Sequence, residues 1–499
     1  MKKFYFMILA NLFIFTSFAE GSGGRIVEKF LTVSKKNPHY FADSNGKTYI
    51  PIGLNLCFYR PDVPKKVHDE AVTFGKFREW FDKLSANGGN YARLWLGNSF
   101  FDVMPEEPGV FSQRNLERIK TVVRYAEERN IKLKITLEQF RTPLYVKNGK
   151  GFQSPGFQAP VYSRYAKTMK EWCQSKECRR LYLAKAKFIA DAIGNSPAVV
   201  AVDLWNEIDA IGPTHDYVGE WSDYMLKELR KIFPRQMLLQ NLGSHCNIYS
   251  YADYYYLSNV PQSEFHQIHR YLDPGAEMAI CQAPVDILCT DSIREIRQFD
   301  HSKPIILAET GGVKANHTGP SVHYDADKEG AILHDVLFAP FFAGSAGTGQ
   351  IWHWDSYVER WDLWWHFKRF AEAIKGIDPV KEQFRPGLME NRTCRIYVLH
   401  GKTHDLYWLR DKSNTWENEF VKKQKPGMVG GFYLPLWAIG EVDAYFPWED
   451  RHVKPEIKDD FFCKVPEFRR SLVLRIKHNG QSRYLGHISS VEKLKSKGK

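Results

Sequence analysis

An α/β fold, a (β/α)8 TIM barrel followed by a small all-β domain, is the fold class this chain predicts, and three observations predict it. Residues 29–378 alternate short β-branched runs with longer amphipathic segments, the pattern of βα units around a parallel sheet. Eight such runs can be read over roughly 350 residues, where a bare barrel takes about 250, which leaves room for long loops. After residue 378 the texture changes to short strands separated by Gly, Asn, Asp and Pro, with no convincing helix between them. The chain has 499 residues, 43% of them apolar and 14% aromatic, too long for one small domain and too apolar for a disordered protein.

The elements follow in order. Lys2 and Lys3, an apolar run over 4–18 and the small-x-small site Ser17-Phe18-Ala19 read as a secretory signal peptide, residues 1–19. The run falls short of the about 20 apolar residues a membrane span needs, and no later segment supplies them. The mature chain is therefore expected to be exported: periplasmic, cell-surface or secreted. The barrel is expected over 20–378, with strands at 48–55, 91–96, 132–137, 199–205, 237–241, 265–269, 304–308 and 348–352. Helices are expected at 74–85, 113–129, 178–193, 217–232, 292–299, 328–342 and 361–375. In 113–129, Leu116, Ile119, Val122, Val123 and Ala126 form one apolar stripe that would cover a sheet face. The connections 98–114, 140–179 and 269–292 follow strands 2, 3 and 6 and would be βα loops at the ligand face. The β-domain is expected over 379–499, with strands at 395–399, 405–409, 430–434 and 471–476. Its Trp408, Trp416 and Trp437 could bind a glycan, but a structural clamp on the barrel is the preferred reading.

Charge and cysteines narrow the partners. The net charge of +11 comes from 69 Lys+Arg against 58 Asp+Glu; loss of Lys2 and Lys3 with the leader leaves +9, and the tail 491–499 carries four Lys against one Glu. No basic stripe is interleaved with aromatics, so a nucleic-acid groove is not expected, while an anionic polysaccharide stays open. Cys57, Cys173, Cys178, Cys246, Cys281, Cys289, Cys394 and Cys463 include no CxxC pair, so no zinc cage is expected. Cys173 with Cys178, and Cys281 with Cys289, could close loops as disulfides or be buried thiols.

The chemistry concentrates at two strand ends. Val199 to Trp205 is a buried strand closing on Asn206-Glu207, and Pro304 to Ala308 closes on Glu309. Side chains at the carboxyl ends of barrel strands project into the mouth, so Glu207 and Glu309 would face one pocket. Paired carboxylates are what glycosidic cleavage needs, one protonated to assist the leaving oxygen and one ionised to attack or to activate water.

These residues, with Asn90-Tyr91-Ala92-Arg93 on strand 2, His269-Arg270-Tyr271 after strand 6 and a Trp-rich strand 8, resemble clan A glycoside hydrolases, most nearly the family 5 cellulase and mannanase-like enzymes. The resemblance covers the barrel. It implies Glu207 as general acid/base, Glu309 as nucleophile, Asn206 on the sugar 2-hydroxyl, and Arg93 and Tyr271 holding Glu309 ionised and oriented. His269 would line the subsite of the cleaved sugar or be a structural histidine. Trp352 and Trp354 alternate with His353 and should share one side; Trp354 is favoured as the floor under the sugar, with Trp352 packing into the wall and Trp95 ambiguous. Strand 3 departs from the family pattern: it ends in Thr136-Leu137-Glu138-Gln139 without a His, and Glu138 would bind a sugar hydroxyl or pair with Arg141. Asp325 and Asp327 match no metal template and read as helix capping before Lys328.

The expected function is a secreted retaining β-glycoside hydrolase on β-linked polysaccharide or oligosaccharide, β-mannan or β-glucan favoured, with no cofactor or metal. An exo-acting enzyme on a decorated or acidic glycan and a non-catalytic glycan-binding barrel are the alternatives.

Overall fold

The computed structural model describes residues 30–60, 69–105, 107–139, 165–166, 168–211, 214–460 and 462–482. Residues 1–19, the expected leader, and most of the loop after strand 3, including Arg141, lie outside these residues.

A three-stranded antiparallel sheet comes first, β1 (Leu31–Val33), β2 (Phe41–Asp43) and β3 (Thr48–Tyr49). Leu31, Phe41 and Tyr49 pack against Tyr91, Val200, Met237, Phe265 and Ile306, with Phe41 edge-on to Phe265 at 5.2 Å, so this sheet plugs the amino-terminal end of the barrel. The barrel begins at β4 (Gly53–Asn55), not at Thr48. Pro51 divides the expected first strand because it has no N–H to give to a ladder, and its carbonyl instead accepts from Thr348 N at 2.9 Å. Gly53 is required where it stands: a Cβ there would lie 1.7 Å from the Tyr91 carbonyl oxygen.

Parallel pairing then runs β4 to β5 (Tyr91–Trp95), β6 (Lys132–Glu138), β7 (Val199–Trp205) and β8 (Met237–Leu239), and separately β9 (His266–His269) to β10 (Ile305–Glu309). Backbone hydrogen bonds join these two arcs: Glu264 N to Leu238 O at 3.0 Å and His245 N to His269 O at 2.7 Å on one side. On the other, 346–352 gives Gln350 N to Leu307 O at 2.9 Å and receives Asn55 N on Ile351 O at 3.2 Å. This eighth segment is not a regular strand; only Ile351 makes a bridge, to Thr310. The (β/α)8 order is thereby complete around the ring.

The helices α1 (Glu70–Ala86), α2 (Gln113–Glu128), α3 (Met169–Gln174), α4 (Lys176–Ile193), α5 (Gly219–Ile232), α6 (Ile248–Ser258), α7 (Val285–Phe299), α8 (Ala331–Phe342) and α9 (Trp365–Ala373) cover it. Side-chain caps set several starts: Asp69 accepts from Ala71 N and Val72 N, Ser112 from Asn115 N and Ser175 from Cys178 N. On α2 the expected stripe, Leu116 to Ala126, is buried in the barrel core cluster, each large aliphatic contributing about 1.5–3 kcal/mol. Helix α6 was not legible from periodicity, because Ile-Tyr-Ser-Tyr-Ala-Asp-Tyr-Tyr-Tyr-Leu-Ser has no apolar stripe; the signal present is the reciprocal cap between Asn247 and Ser250. Asp327 accepts from Ala331 N and Ile332 N and so starts α8, while Asp325 pairs with Arg360.

After residue 384 all strands pair antiparallel. The main sheet is ordered Arg385–Glu390, Cys394–His400, His404–Asp411, Ser471–Ser482, Ala438–Phe446 and Arg451–Val453. It is clamped to α7 and α8: Arg395 and Tyr397 bind Asp286, Arg410 binds Asp335, and Trp408 is fully buried against His334, Phe338 and Phe342. Trp416 donates to the Ala283 carbonyl at 3.1 Å and Trp437 stacks near His400. All eight cysteines are free thiols, so neither short-range pair closes a loop. Among the described residues no helix is long and apolar enough to cross a membrane.

Candidate active site

Strand ends bring the predicted residues together at the carboxyl-terminal end of the barrel. Arg93 projects inward from β5 and is fully buried. Its Nε donates to Thr136 Oγ1 at 3.1 Å, Nη1 binds Glu309 Oε1, and Nη2 binds Asn206 Oδ1. One planar fork thus fixes a carboxylate from β10 and an amide that follows β7. Tyr271 donates its hydroxyl to the other Glu309 oxygen at 2.7 Å. Glu309 is 3% exposed, and both its oxygens are engaged by donors, the arrangement that fixes the orientation of a carboxylate.

Glu207 sits in a different environment. It is 8% exposed, and His269 Nδ1 lies 2.7 Å from its Oε1 and 3.6 Å from Glu309 Oε2. Burial, then the charges of Glu309 and Asp209, push the Glu207 carboxyl well above the usual carboxylate range, against a smaller opposing pull from Arg93. Burial, then the Arg93 and Lys134 charges, hold the His269 imidazole neutral, well below its usual range. With the imidazole neutral, a single proton lies between Glu207 Oε1 and His269 Nδ1. Burial and the two carboxylates push the Tyr271 phenol well up, so it stays a donor. One oxygen of Glu207, one of Glu309 and a His269 nitrogen lie within 4.8 Å of one another.

At the mouth, Asn206 Nδ2, His269 Nε2 and Trp95 Nε1 are buried without a hydrogen-bond partner among the described residues, as is Asp203 Oδ1 beneath Arg93. Asn206 Nδ2 and Trp95 Nε1 are donors. The Glu207, His269 and Glu309 trio is also the one set among the described residues with metal-ligand spacing, but Arg93 and Tyr271 already occupy the oxygens of Glu309.

The aromatic residues divide differently from the expectation. Trp352 and Trp354 do share a side, both against Phe58, while His353 turns away to Tyr324. Trp354, however, is fully buried between Phe58 and Trp80, whereas Trp352 is half-buried and lies 4.9 Å from Trp95. The cause is local. Strand alternation stops at Ile351, and a helical turn at Trp354–Glu359 carries Trp354 inward. Trp352 is thus the ring with an open part. Glu138 is buried, 2% exposed, and its described cation is Lys185 of α4, which also binds Asp102 at 2.8 Å.

Several neighbours were not foreseen. Lys134, Asp203 and Gln267 lie below Arg93 inside the barrel: Asp203 Oδ2 is 3.5 Å from Arg93 Nη2 and 4.0 Å from Lys134 Nζ, which binds Gln267. Burial, with Arg93 adding to it, lowers the Lys134 ammonium to about 7. The signal was present in the sequence. Lys134 and Thr136 share one face of β6, and Asp203 interrupts an apolar strand, both marks of a polar barrel interior. His317, 5.1 Å edge-on from Tyr271 and 3.2 Å from Asp273, comes from a loop that no pattern singled out.

No protein-family model and no curated protein matches the chain. Solved structures do. One described as a glycoside hydrolase superposes with a TM-score of 0.58 at 11% identity, covering 91% of this chain and 98% of that one. A glycoside hydrolase family 5 protein from Bacteroides vulgatus gives 0.57 at 14% identity, covering 91% and 94%. The likeness is one of fold, and at that coverage it includes the β-domain as well as the barrel.

Proposed function

We propose that this protein is a secreted retaining β-glycoside hydrolase acting on β-linked polysaccharide or oligosaccharide, with β-mannan or β-glucan as the favoured class. The observation that carries the reading is the pair Glu207 and Glu309, with one oxygen of each within 4.8 Å of the other and different partners, Glu309 held by Arg93 and Tyr271 and Glu207 raised by burial. Retaining glycosidases hold their carboxyls about 5–5.5 Å apart, whereas inverting ones leave about 6.5–9.5 Å for a water. The shorter class fits.

In the proposed reaction Glu309 attacks the anomeric carbon while Glu207 gives its proton to the leaving oxygen, forming a glycosyl ester. Departure of the leaving sugar opens room for water. Glu207, now a carboxylate, takes a proton from that water as it displaces Glu309 and frees the sugar. Arg93 and Tyr271 hold Glu309 in line, and Asn206 Nδ2, a donor, and His269 Nε2 are the unmatched atoms left to bond the sugar hydroxyls. Trp352, with Trp95 behind it, supplies an apolar face for the sugar ring. The fold shared with two glycoside hydrolase structures supports this reading, and the leader at 1–19 supports export.

The test is turnover of a panel of β-linked polysaccharides and aryl glycosides by the purified protein, with the anomeric product followed by NMR. A β product that mutarotates later is expected. An α product as the first one formed would overturn retention, and binding without any turnover would favour a glycan-binding barrel.

A further inference from the structure

Glu207 has φ of 52°, in the left-handed region, where a side chain with a Cβ is strained. Something must hold it there. Its backbone N–H does not join the barrel ladder but donates to the Asn241 side chain, Oδ1 accepting at 2.7 Å. Asn241, 1% exposed, follows β8, and its Nδ2 donates in turn to Asp203 Oδ2. Asp203 stands two turns of the strand alternation before Glu207, on β7, wholly buried. The same Asp203 oxygen faces Arg93 at 3.5 Å and accepts from Gln267 at 3.4 Å. Gln240, beside Asn241, adds a donor to the Trp205 carbonyl at 2.5 Å, so the chain leaving β8 braces the turn leaving β7.

We propose that Asp203 and Asn241 are positioning residues that fix the main chain of Glu207 in its left-handed turn, and so aim its carboxyl at the scissile oxygen. The inference rests on the reading of Glu207 as proton donor. Its logic is one of direction. An amide at 241 can accept from the Glu207 N–H only if its other end is turned to an acceptor, and the Asp203 carboxylate is that acceptor. Because Asp203 also faces Arg93, the fork that holds Glu309 and the brace that holds Glu207 meet at one buried carboxylate. The spacing of acid and nucleophile is thereby set from below the site.

The test pairs two substrates with a directional swap. A dinitrophenyl β-glycoside releases its aglycone without a proton, whereas an unsubstituted β-linked tetrasaccharide needs one, so misplacement of the acid harms the second far more. Asn241→Ala is expected to lower kcat/KM on the tetrasaccharide about 10–100-fold while moving glycosylation by the dinitrophenyl substrate much less. Asn241→Asp, which sets two carboxylates together, should show the same selective loss. The double variant Asp203→Asn with Asn241→Asp reverses donor and acceptor and keeps the charge, and should return to within about three-fold of the unaltered protein. A crystal structure of Asn241→Ala should show Glu207 out of the left-handed region. Equal losses on both substrates, or a Glu207 that keeps its φ without Asn241, would overturn the proposal. If the unaltered protein cleaves neither substrate, the glycosidase reading falls by itself, and the Glu207 backbone in the Asn241→Ala structure still decides the positioning role. Should that variant not fold, the Asn241→Asp single and the swap carry the same comparison in both readouts.

Discussion

The barrel mouth and the seam between barrel and β-domain bury charge to a similar depth, yet they treat it oppositely. At the seam the buried carboxylates are saturated, although Trp408 Nε1 and His334 Nδ1 stay unmatched among the described residues: Asp286 accepts Arg395 at 2.5 and 2.8 Å and Tyr397 at 2.8 Å, and Asp335 accepts Arg410 at 2.7 and 3.0 Å. At the mouth, Asn206 Nδ2, His269 Nε2 and Trp95 Nε1 are buried and unmatched. A buried polar atom without a partner is costly, so three such atoms clustered beside two carboxylates mark a place completed by a ligand. Saturated charge, by contrast, marks structure.

The largest expected effect breaks the mouth alone. Glu309→Ala should lower glycan turnover by about 10⁴-fold or more, with chemical denaturation showing a folded protein and added azide restoring release of an α-glycosyl azide. Unchanged turnover would sink the assignment of Glu309. The matching change at the seam should do the reverse. Asp286→Ala strands Arg395 and is expected to cost about 3–5 kcal/mol in urea unfolding while leaving kcat of the folded enzyme near its starting value. Replacing Asp335 and Arg410 together by Leu and Met should cost far less, since both charges leave at once.

A third contrast lies within the aromatic residues. Trp352→Ala should raise KM by roughly 10-fold, the scale of one lost ring contact, with little change in stability. Trp354→Ala should instead cost about 3–5 kcal/mol of stability, because it empties a fully buried site. If Trp354→Ala raised KM and kept stability, the floor of the site would belong to Trp354 after all.

What could be read from the sequence follows the same division. Strand ends announce themselves: an apolar run closing on Asn206-Glu207 or on Glu309 breaks its own pattern, and the breaks fall where the site is. The β-domain was legible as a change of texture. The Asp286 and Asp335 partners of Arg395 and Arg410 were not, because pairs more than 70 residues apart leave no local trace. Trp354 misled for a related reason, since period-two reasoning holds only while the strand continues, and here it ends at Ile351. Asp203 and Lys134 were visible as polar residues on barrel strands, but their bond partners depend on three strands at once.

The pH response separates chemistry from stability at these two places. In the proposed reaction Glu207 acts while protonated, and its carboxyl is raised by burial and then by the Glu309 charge, so kcat/KM should fall as pH rises through that raised value. In Glu309→Gln the second cause is gone, and NMR titration should find the Glu207 carboxyl lower than in the unaltered protein. The smallest effect concerns His334, buried at the seam with Nε2 at 2.7 Å from Ser471 Oγ. Burial, then the charges of His366, Arg410 and Arg470, hold it neutral far below its ordinary value. The unfolded chain takes up that proton near pH 6.5, so the His334 contribution is fully present above about 6.5 and is lost as pH falls, by at most about 1.4 kcal/mol per pH unit. Buried acids such as Asp335, raised to about 6, act in the opposite direction, so the histidine is isolated only by difference. Urea unfolding of the unaltered protein and of His334→Gln at pH 7 and pH 5 should show the variant losing less stability on acidification. Parallel losses would mean that His334 takes up its proton in the fold over the same range as in the unfolded chain, and that the seam tolerates a charge with no acceptor at Nδ1.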